Sequence, residues 1–446
     1  MRSPMGLRVA RRLSAILRGY RLVSAAAVPL VPLLMANRLK RGKEDRARLG
    51  ERRGEASFER PPGPLVWLHG ASVGEIASIL QLAERLQAQK VSLLVTSGTV
   101  TSASLAGHRL PRGVIHQFVP VDSPRFVRRF LDHWQPDLAL LVESDLWPNL
   151  IIETAARGTP LILVNARLSE SSYDRWRHFP ATIGALLDRF DLCLARTATD
   201  AERFTALGAP RVTTAGNLKL DSPAPPVNDE QMWQLKAAIG ERPVVAAAST
   251  HPGEETAVIE VHRRLRARFP KLLTIIAPRH AERGPGIAEI AAVAGQDSAL
   301  RSRGELPAPG TEIYIADTMG ELGMIYRLAP IVFVGGSLVR HGGQNPIEPA
   351  KLGAAVLHGP HVGNFAEIYA ALDTAAGAQP VADTEELVAR MGNWLSDPRA
   401  RNDAANAAFS TVESLGGALE RTLQALNPYL MQLRLAQGAD HNHDHA

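Results

Sequence analysis

A chain of 446 residues is longer than one hydrophobic core usually serves and has room for two. Hydrophobic residues at 45% and charged residues at 21% exclude a disordered or fibrous chain. The single cysteine, Cys193, excludes an internal disulfide and a cysteine zinc site. It lies in the apolar run Leu192–Ala195 and reads as a buried small hydrophobe in a reducing compartment.

The net charge of +5 is uneven: basic residues from Arg2 to Arg48 crowd the first 60 positions, and the later chain is nearly balanced. Such a segment suits an anionic lipid surface. Nucleic-acid binding is not indicated, because the balanced part shows no interleaved aromatic and basic platform. Leu22–Ala36 is almost wholly apolar with basic flanks. It is shorter than the roughly 20 residues of a spanning helix and is interrupted by Pro29 and Pro32. The basic residues on both sides argue for an uncleaved, membrane-associating segment with the catalytic body in the cytoplasm.

Arg60–Pro64 then opens a region where apolar runs alternate with amphipathic segments. Strands are predicted at Leu65–Leu68, Val91–Thr96, Ile115–Val119, Leu138–Val142, Leu161–Val164 and Leu192–Ala195. Helices are predicted between them, as at Glu75–Gln89 and Pro124–His133. Near-continuous apolar strands separated by helices predict a parallel sheet covered on both faces. A proline-rich stretch, Leu220–Asn228, breaks the rhythm as a linker would. The alternation resumes at Val244–Ala248, Leu272–Ala277, Glu312–Ala316, Ile331–Val334 and Ala355–Leu357. Ala400–Leu426 reads as one helix, and the final histidines as a solvent-exposed end. The expected organisation is a tail over 1–60, an α/β lobe over 61–221, a linker over 222–229, a second lobe over 230–428 and a flexible end over 429–446. Two such lobes predict a ligand cleft at the carboxyl ends of their strands.

The chemistry should sit in the strand-end loops. His69-Gly70-Ala71-Ser72-Val73-Gly74-Glu75 follows the first strand and opens a helix. Its glycines allow close backbone approach, and the helix dipole favours an ionised Glu75, which can take a proton from an attacking hydroxyl. A first-turn glutamate also serves simply to stabilise its helix. Glu143-Ser144-Asp145-Leu146-Trp147-Pro148-Asn149 puts two acids at the end of a buried strand, which is costly unless they are used or paired. Arg167 and Lys219 are cations beside strand-like sequence and suit a carboxylate or phosphate. The second lobe offers Ser249–Glu255, Pro278-Arg279-His280, Asp317–Glu321 and the glycine-rich run to Glu348, whose amides suit phosphate. No H-E-x-x-H or D-x-D pattern marks a metal, and no G-x-S-x-G elbow marks a serine hydrolase.

The loops His69–Glu75, Glu143–Asn149, Asn165–Ser169, Gly216–Lys219 and Gly342–Glu348 together resemble those of the bacterial 3-deoxy-D-manno-octulosonic acid (Kdo) transferases, in order and approximate spacing. The resemblance runs from about Pro64 to Tyr369. It implies a GT-B fold of two Rossmann-like lobes and an inverting, metal-independent transfer of Kdo from CMP-Kdo to a lipid A precursor at the cytoplasmic side of the inner membrane, with no cofactor. It matches Glu75 to the general base, and Glu143 and Lys219 to positions that stabilise the transition state. Pro278 and Arg279, then Met319, Gly320 and Glu321, then Asn345, Pro346, Ile347 and Glu348 match CMP-contacting loops. The residues alone leave two alternatives open: a non-catalytic, membrane-peripheral protein binding nucleotide or anionic lipid, and a GT-B enzyme using a UDP-sugar.

Overall fold

The computed structural model describes residues 11–221, 225 and 227–443, and side chains as far as 435. Arg2 and Arg8 of the basic segment, most of 222–226 and the last three residues lie outside the described residues. The chain divides into two compact units, Met1–Ser222 with Gly416–Ala446, and Pro223–Leu415.

The first unit holds seven strands: β1 (Leu65–His69), β2 (Ser92–Ser97), β3 (Ile115–Phe118), β4 (Leu138–Val142), β5 (Leu161–Ala166), β6 (Leu192–Ala195) and β7 (Val212–Thr214). They form one sheet in the order β3-β2-β1-β4-β5-β6-β7, every neighbouring pair parallel. Strand periodicity divides the burial between two faces. Leu65 and Trp67 pack into a core with Phe130, Leu141 and Leu163, while Val66 and Leu68 pack into another with Ile76, Ile79 and Val95. That double burial explains the unbroken apolar runs, since neither face meets water.

The second unit repeats the plan with β8 (Val244–Thr250), β9 (Leu273–Pro278), β10 (Ser298–Leu300), β11 (Ile313–Ile315), β12 (Ile331–Val334), β13 (Ala355–His358) and β14 (Ala378–Pro380). Their order is β10-β11-β9-β8-β12-β13-β14, again all parallel. In each sheet the order reverses beside the first strand, between β1 and β4 and between β8 and β12. Strand-end loops diverge at such a point and leave a crevice there.

The first unit differs from the expected boundaries at both ends. Residues 11–60 are not a detached tail. Leu17 of the helix Ala15–Ala26 enters the first core, the Tyr20 hydroxyl donates to Asp122 at 2.9 Å, and Arg21 pairs with Glu153 at 2.6 Å. Val31 and Met35 of the helix Val31–Lys40 pack on Phe126. Pro29 and Pro32 fall in first-turn positions, where a proline costs no hydrogen bond, so they bend the segment rather than end it. No single helix among the described residues is long and apolar enough to cross a membrane; the pair Ala15–Ala26 and Val28–Lys40, bent by 46°, passes that test by length and composition. Leu22, Val23, Leu30 and Leu33 on it are exposed.

At the other end, the expected helix Ala400–Leu426 is two helices, Pro398–Leu415 and Ala418–His443, broken where Gly417 takes φ +80°. The second helix belongs to the first unit. Leu423, Leu426 and Leu430 are buried in the core around Val66, and the Arg421 guanidinium donates to the Ala215 carbonyl at 2.7 Å.

Candidate active site

β1 and β4 are neighbours, so the loops carrying Glu75 and Glu143 leave the sheet side by side at the switch point. Ser72 caps the helix Val73–Gln87, and its hydroxyl accepts the Glu75 N–H at 3.3 Å. Glu75 returns to the same turn: one carboxylate oxygen accepts the Ala71 N–H at 2.6 Å, and the other accepts the Ser72 hydroxyl at 2.8 Å. These bonds fix the carboxylate and leave about half of its four acceptor positions open.

Burial raises the Glu75 carboxyl above its ordinary range; the bonds from Ser72 and Ala71 oppose the rise, and the charge of Glu143 adds to it. Desolvation is thus the largest influence on this carboxyl, acting against the helix start that favours its anion. A carboxyl raised in this way is a stronger base than an exposed glutamate.

Lys219 comes from the short turn Leu218–Leu220 that follows β7, and its ammonium meets Glu143 at 2.8 Å. Two asparagines set that turn: Asn165, at the end of β5, accepts the Leu218 N–H, and Asn217 accepts the Lys219 N–H, each at 3.1 Å. A side chain added at Gly74 would lie 3.8 Å from the Lys219 nitrogen, so the ammonium stands over the helix start that carries Glu75. Glu143 and Asn165 both hold left-handed backbone, φ +61° and +54°, without being glycine. Strain of this kind is kept only where surrounding contacts fix it, and it gathers at functional loops. Glu75, Glu143 and Lys219, matched one by one from separate loops, thus share one corner of the first unit.

Two residues of this corner were not singled out in the sequence. Burial pushes the Asp145 carboxyl up to about 7, with the charges of Glu75 and Glu143 adding to it. His69 is fully buried and pushed down to about 4 by desolvation, so its ring is neutral. The Thr96 hydroxyl lies 2.9 Å from the His69 Nδ1 and accepts the Trp67 indole N–H at 2.9 Å. With the Thr96 proton then given to Nδ1, His69 carries its hydrogen on Nε2, 4.0 Å from Asp145. The two acids in the Glu143–Asn149 motif were the only sequence signal for this arrangement.

Asp122, another buried carboxylate of the first unit, is committed to its neighbours. It accepts the Asn149 and Leu150 N–H groups, at 3.1 and 2.9 Å, and so caps the helix Pro148–Ala156 while also holding Tyr20. Among the described residues no group of three or more His, Cys, Asp or Glu is placed to hold a metal ion.

In the second unit the matched residues lie at the carboxyl ends of three strands, β9, β11 and β12. Glu254 ties the two switch-point loops together, accepting the N–H groups of His251, Gly336, Ser337 and Leu338 within 3.0 Å. A side chain at Gly335 would strike the Ser249 carbonyl at 2.7 Å, so only glycine lets the loops meet. Arg279 is exposed directly after Pro278, and its N–H bonds the Thr250 carbonyl. Met319 is 74% exposed beside Gly320, at φ +86°. Glu321 is paired with Arg301 at 3.0 Å, which answers its charge within the unit and makes it a brace for that loop. Asn345 accepts the Ile347 N–H and donates to Glu348 at 3.2 Å across the start of the helix Ile347–Lys351, with Pro346 at its cap. Sequence reasoning missed a convergence of histidines here: the His251 ring lies 3.7 Å from His341 and 6.2 Å from His280. Each follows a strand by a few residues, which was the available signal.

Residues 47–222 match the family model described as 3-deoxy-D-manno-octulosonic-acid transferase (kdotransferase). The 3-deoxy-D-manno-octulosonic acid transferase of Haemophilus influenzae is 34% identical over 395 residues, 86% of this chain and 92% of that protein. That of Bordetella pertussis is 33% identical over 423 residues, 92% and 99% of the two chains. Among solved structures, UDP-GlcNAc 2-epimerase from Neisseria meningitidis is similar with a TM-score of 0.57 at 13% identity, over 82% of this chain and all of that one, a likeness of fold alone. The two parallel sheets are those of the GT-B architecture, and with its identity to these relatives over nearly their full length the chain belongs to the 3-deoxy-D-manno-octulosonic acid transferases, a family of glycosyltransferases.

Proposed function

We propose that this protein transfers Kdo from CMP-Kdo to a lipid A precursor, with inversion and without a metal, at the cytoplasmic face of the inner membrane. The observation that carries the reading is the corner at the first switch point, where a desolvated Glu75 stands beside a Lys219–Glu143 pair. In the proposed step an acceptor hydroxyl attacks the anomeric carbon of Kdo as its proton passes to Glu75. The bond from that carbon to the CMP phosphate oxygen breaks, and CMP departs as an anion. One displacement inverts the anomeric centre.

Lys219, oriented by Glu143, answers the negative charge of the Kdo carboxylate. Arg279, exposed at the end of β9, takes the phosphate of CMP, so charge on the leaving group is met by the protein. The apolar residues exposed on the bent N-terminal pair support the membrane reading, with Arg18, Lys40 and Arg41 beside them for anionic headgroups.

The test is to incubate the purified protein with CMP-Kdo and a tetraacylated lipid A precursor, with a chelator present, beside Glu75→Gln. Transfer by the native chain and its loss in the variant, with CMP still bound, is the expected result. Retained transfer in Glu75→Gln would reduce the carboxylate to a helix cap, the role its bonds to Ala71 and Ser72 already fill. Absence of transfer in both, with CMP bound, would favour a nucleotide-binding protein without this activity.

A further inference from the structure

A cavity of about 400 Å³ opens within the first unit, beside the corner that carries Glu75. Its walls come from four successive strand-end loops, at Ala71, Gly98, Val121 and Trp147, and it is closed by Leu34 and Met35 of the N-terminal helix. The charged groups at its edge are already answered by one another. The Arg52 guanidinium donates to Glu44, to the Val119 carbonyl and to the Gly98 carbonyl, at 2.9, 3.1 and 2.7 Å. Arg38 also donates to Glu44, at 2.7 Å, and Asp122 is held by Tyr20, Asn149 and Leu150. What remains for an occupant is apolar wall, and such a space takes hydrocarbon in preference to a phosphate or a sugar.

Two features point to the occupant. Leu34, 49% exposed, joins the cavity to Leu30 and Leu33 on the outer side of the same segment, so the apolar lining is continuous with the apolar surface. Ala71 also lines the cavity, and it donates its N–H to Glu75. Hydrocarbon lodged here therefore rests against the loop that positions the carboxylate.

We propose that the cavity takes one acyl chain of the lipid that accepts the sugar and thereby sets that lipid's sugar hydroxyl at Glu75. This rests on the reading that the acceptor is a lipid. It makes the N-terminal segment part of the acceptor site as well as a membrane contact. Residues 31–40 become a wall whose side chains choose acyl length.

Trp147 lines the cavity, so its fluorescence reports on the occupant without any turnover. An acceptor brominated on one acyl chain should quench the native protein, and the quenching should largely vanish in Trp147→Phe. In kinetics, kcat/KM should fall about fourfold for each methylene removed while the chain still lies within the cavity. Leu34→Trp, which narrows the space on an exposed helix face, should raise KM for the long-chain acceptor roughly tenfold. It should leave an acyl-free phosphorylated disaccharide acceptor unaffected and binding to anionic vesicles intact.

No quenching, or equal damage by Leu34→Trp to the acyl-free acceptor, would overturn the proposal. Equal quenching by a brominated phospholipid that competes with the acceptor would make this a membrane-lipid site and overturn it too. Quenching by the acceptor without any Kdo transfer by the native protein would sink the proposed reaction and leave the cavity assignment standing.

Discussion

Glu75 is pulled in two directions: burial drives its carboxyl toward the neutral form, while the Ser72 hydroxyl and Ala71 N–H favour the anion. If Glu75 is the proposed base it must be ionised, so transfer should fall as pH drops through a raised carboxyl pKa. The acid limb of the kcat/KM profile is accordingly expected above the range of an exposed glutamate, and Glu75→Gln should lose about 10²–10⁴ in kcat. Asp145 behaves differently. A carboxyl whose folded pKa is raised to about 7 binds its proton more tightly when folded, so the native chain loses stability as pH rises from the ordinary carboxyl range through 7. Asp145→Asn keeps the acceptor for the Trp147 indole and carries no charge. It should match the native protein in denaturant titrations below pH 4 and exceed it at pH 8, by on the order of 1–2 kcal/mol once solvent screening of a partly exposed group is counted. Equal stability at both pH values would mean that Asp145 is charged and solvated. None of this was legible from sequence, where Asp145 was only the second acid of a motif. Its environment depends on His69 and Thr96, which two other strands bring to it.

Among the elements, the strands were legible in proportion to how deeply they are buried. β1, β4, β6 and β12 appear as almost wholly apolar runs because both faces of each are covered. The strands that escaped notice, β7, β10 and β14, have three residues each and lie at sheet edges, where Thr213 and Thr214 of β7 are exposed. Too little apolar surface is required of such a strand to leave a pattern. The return of the last helix to the first unit was also illegible, since an amphipathic face does not say which core it will join. Its attachment has an identifiable latch: Asp221 accepts the N–H groups of Gly417, at 2.6 Å, and of Leu419. Asp221→Ala should cost about 1 kcal/mol, as for other helix caps, and lower the melting midpoint of the first unit by about 2–4 °C. An unchanged midpoint would show that Leu423, Leu426 and Leu430 hold the helix without it.

For the molecule as a whole, two separate cores predict two separable responses to ligand. If the second unit holds CMP, saturating CMP at about 100 times its dissociation constant adds about 2.7 kcal/mol to that unit. Hydrogen exchange should then slow in the core of Pro223–Leu415, including β8, β9 and β12, while β1 and β4 keep their rates. Protection confined to the first unit would reverse the assignment of donor and acceptor. The second unit ends at Leu415 and not at 428, a boundary missed because composition cannot show that a chain will cross back.

That crossing has a consequence for synthesis. The first unit is assembled from both ends of the polypeptide, so its core around Val66 stays open until the ribosome releases Leu423, Leu426 and Leu430. The second unit, uninterrupted between Pro223 and Leu415, is complete earlier and can fold while the first still waits. During that interval the apolar residues of 15–40 are already outside, so if they make the proposed membrane contact the bilayer would receive this protein before its last helix has been made.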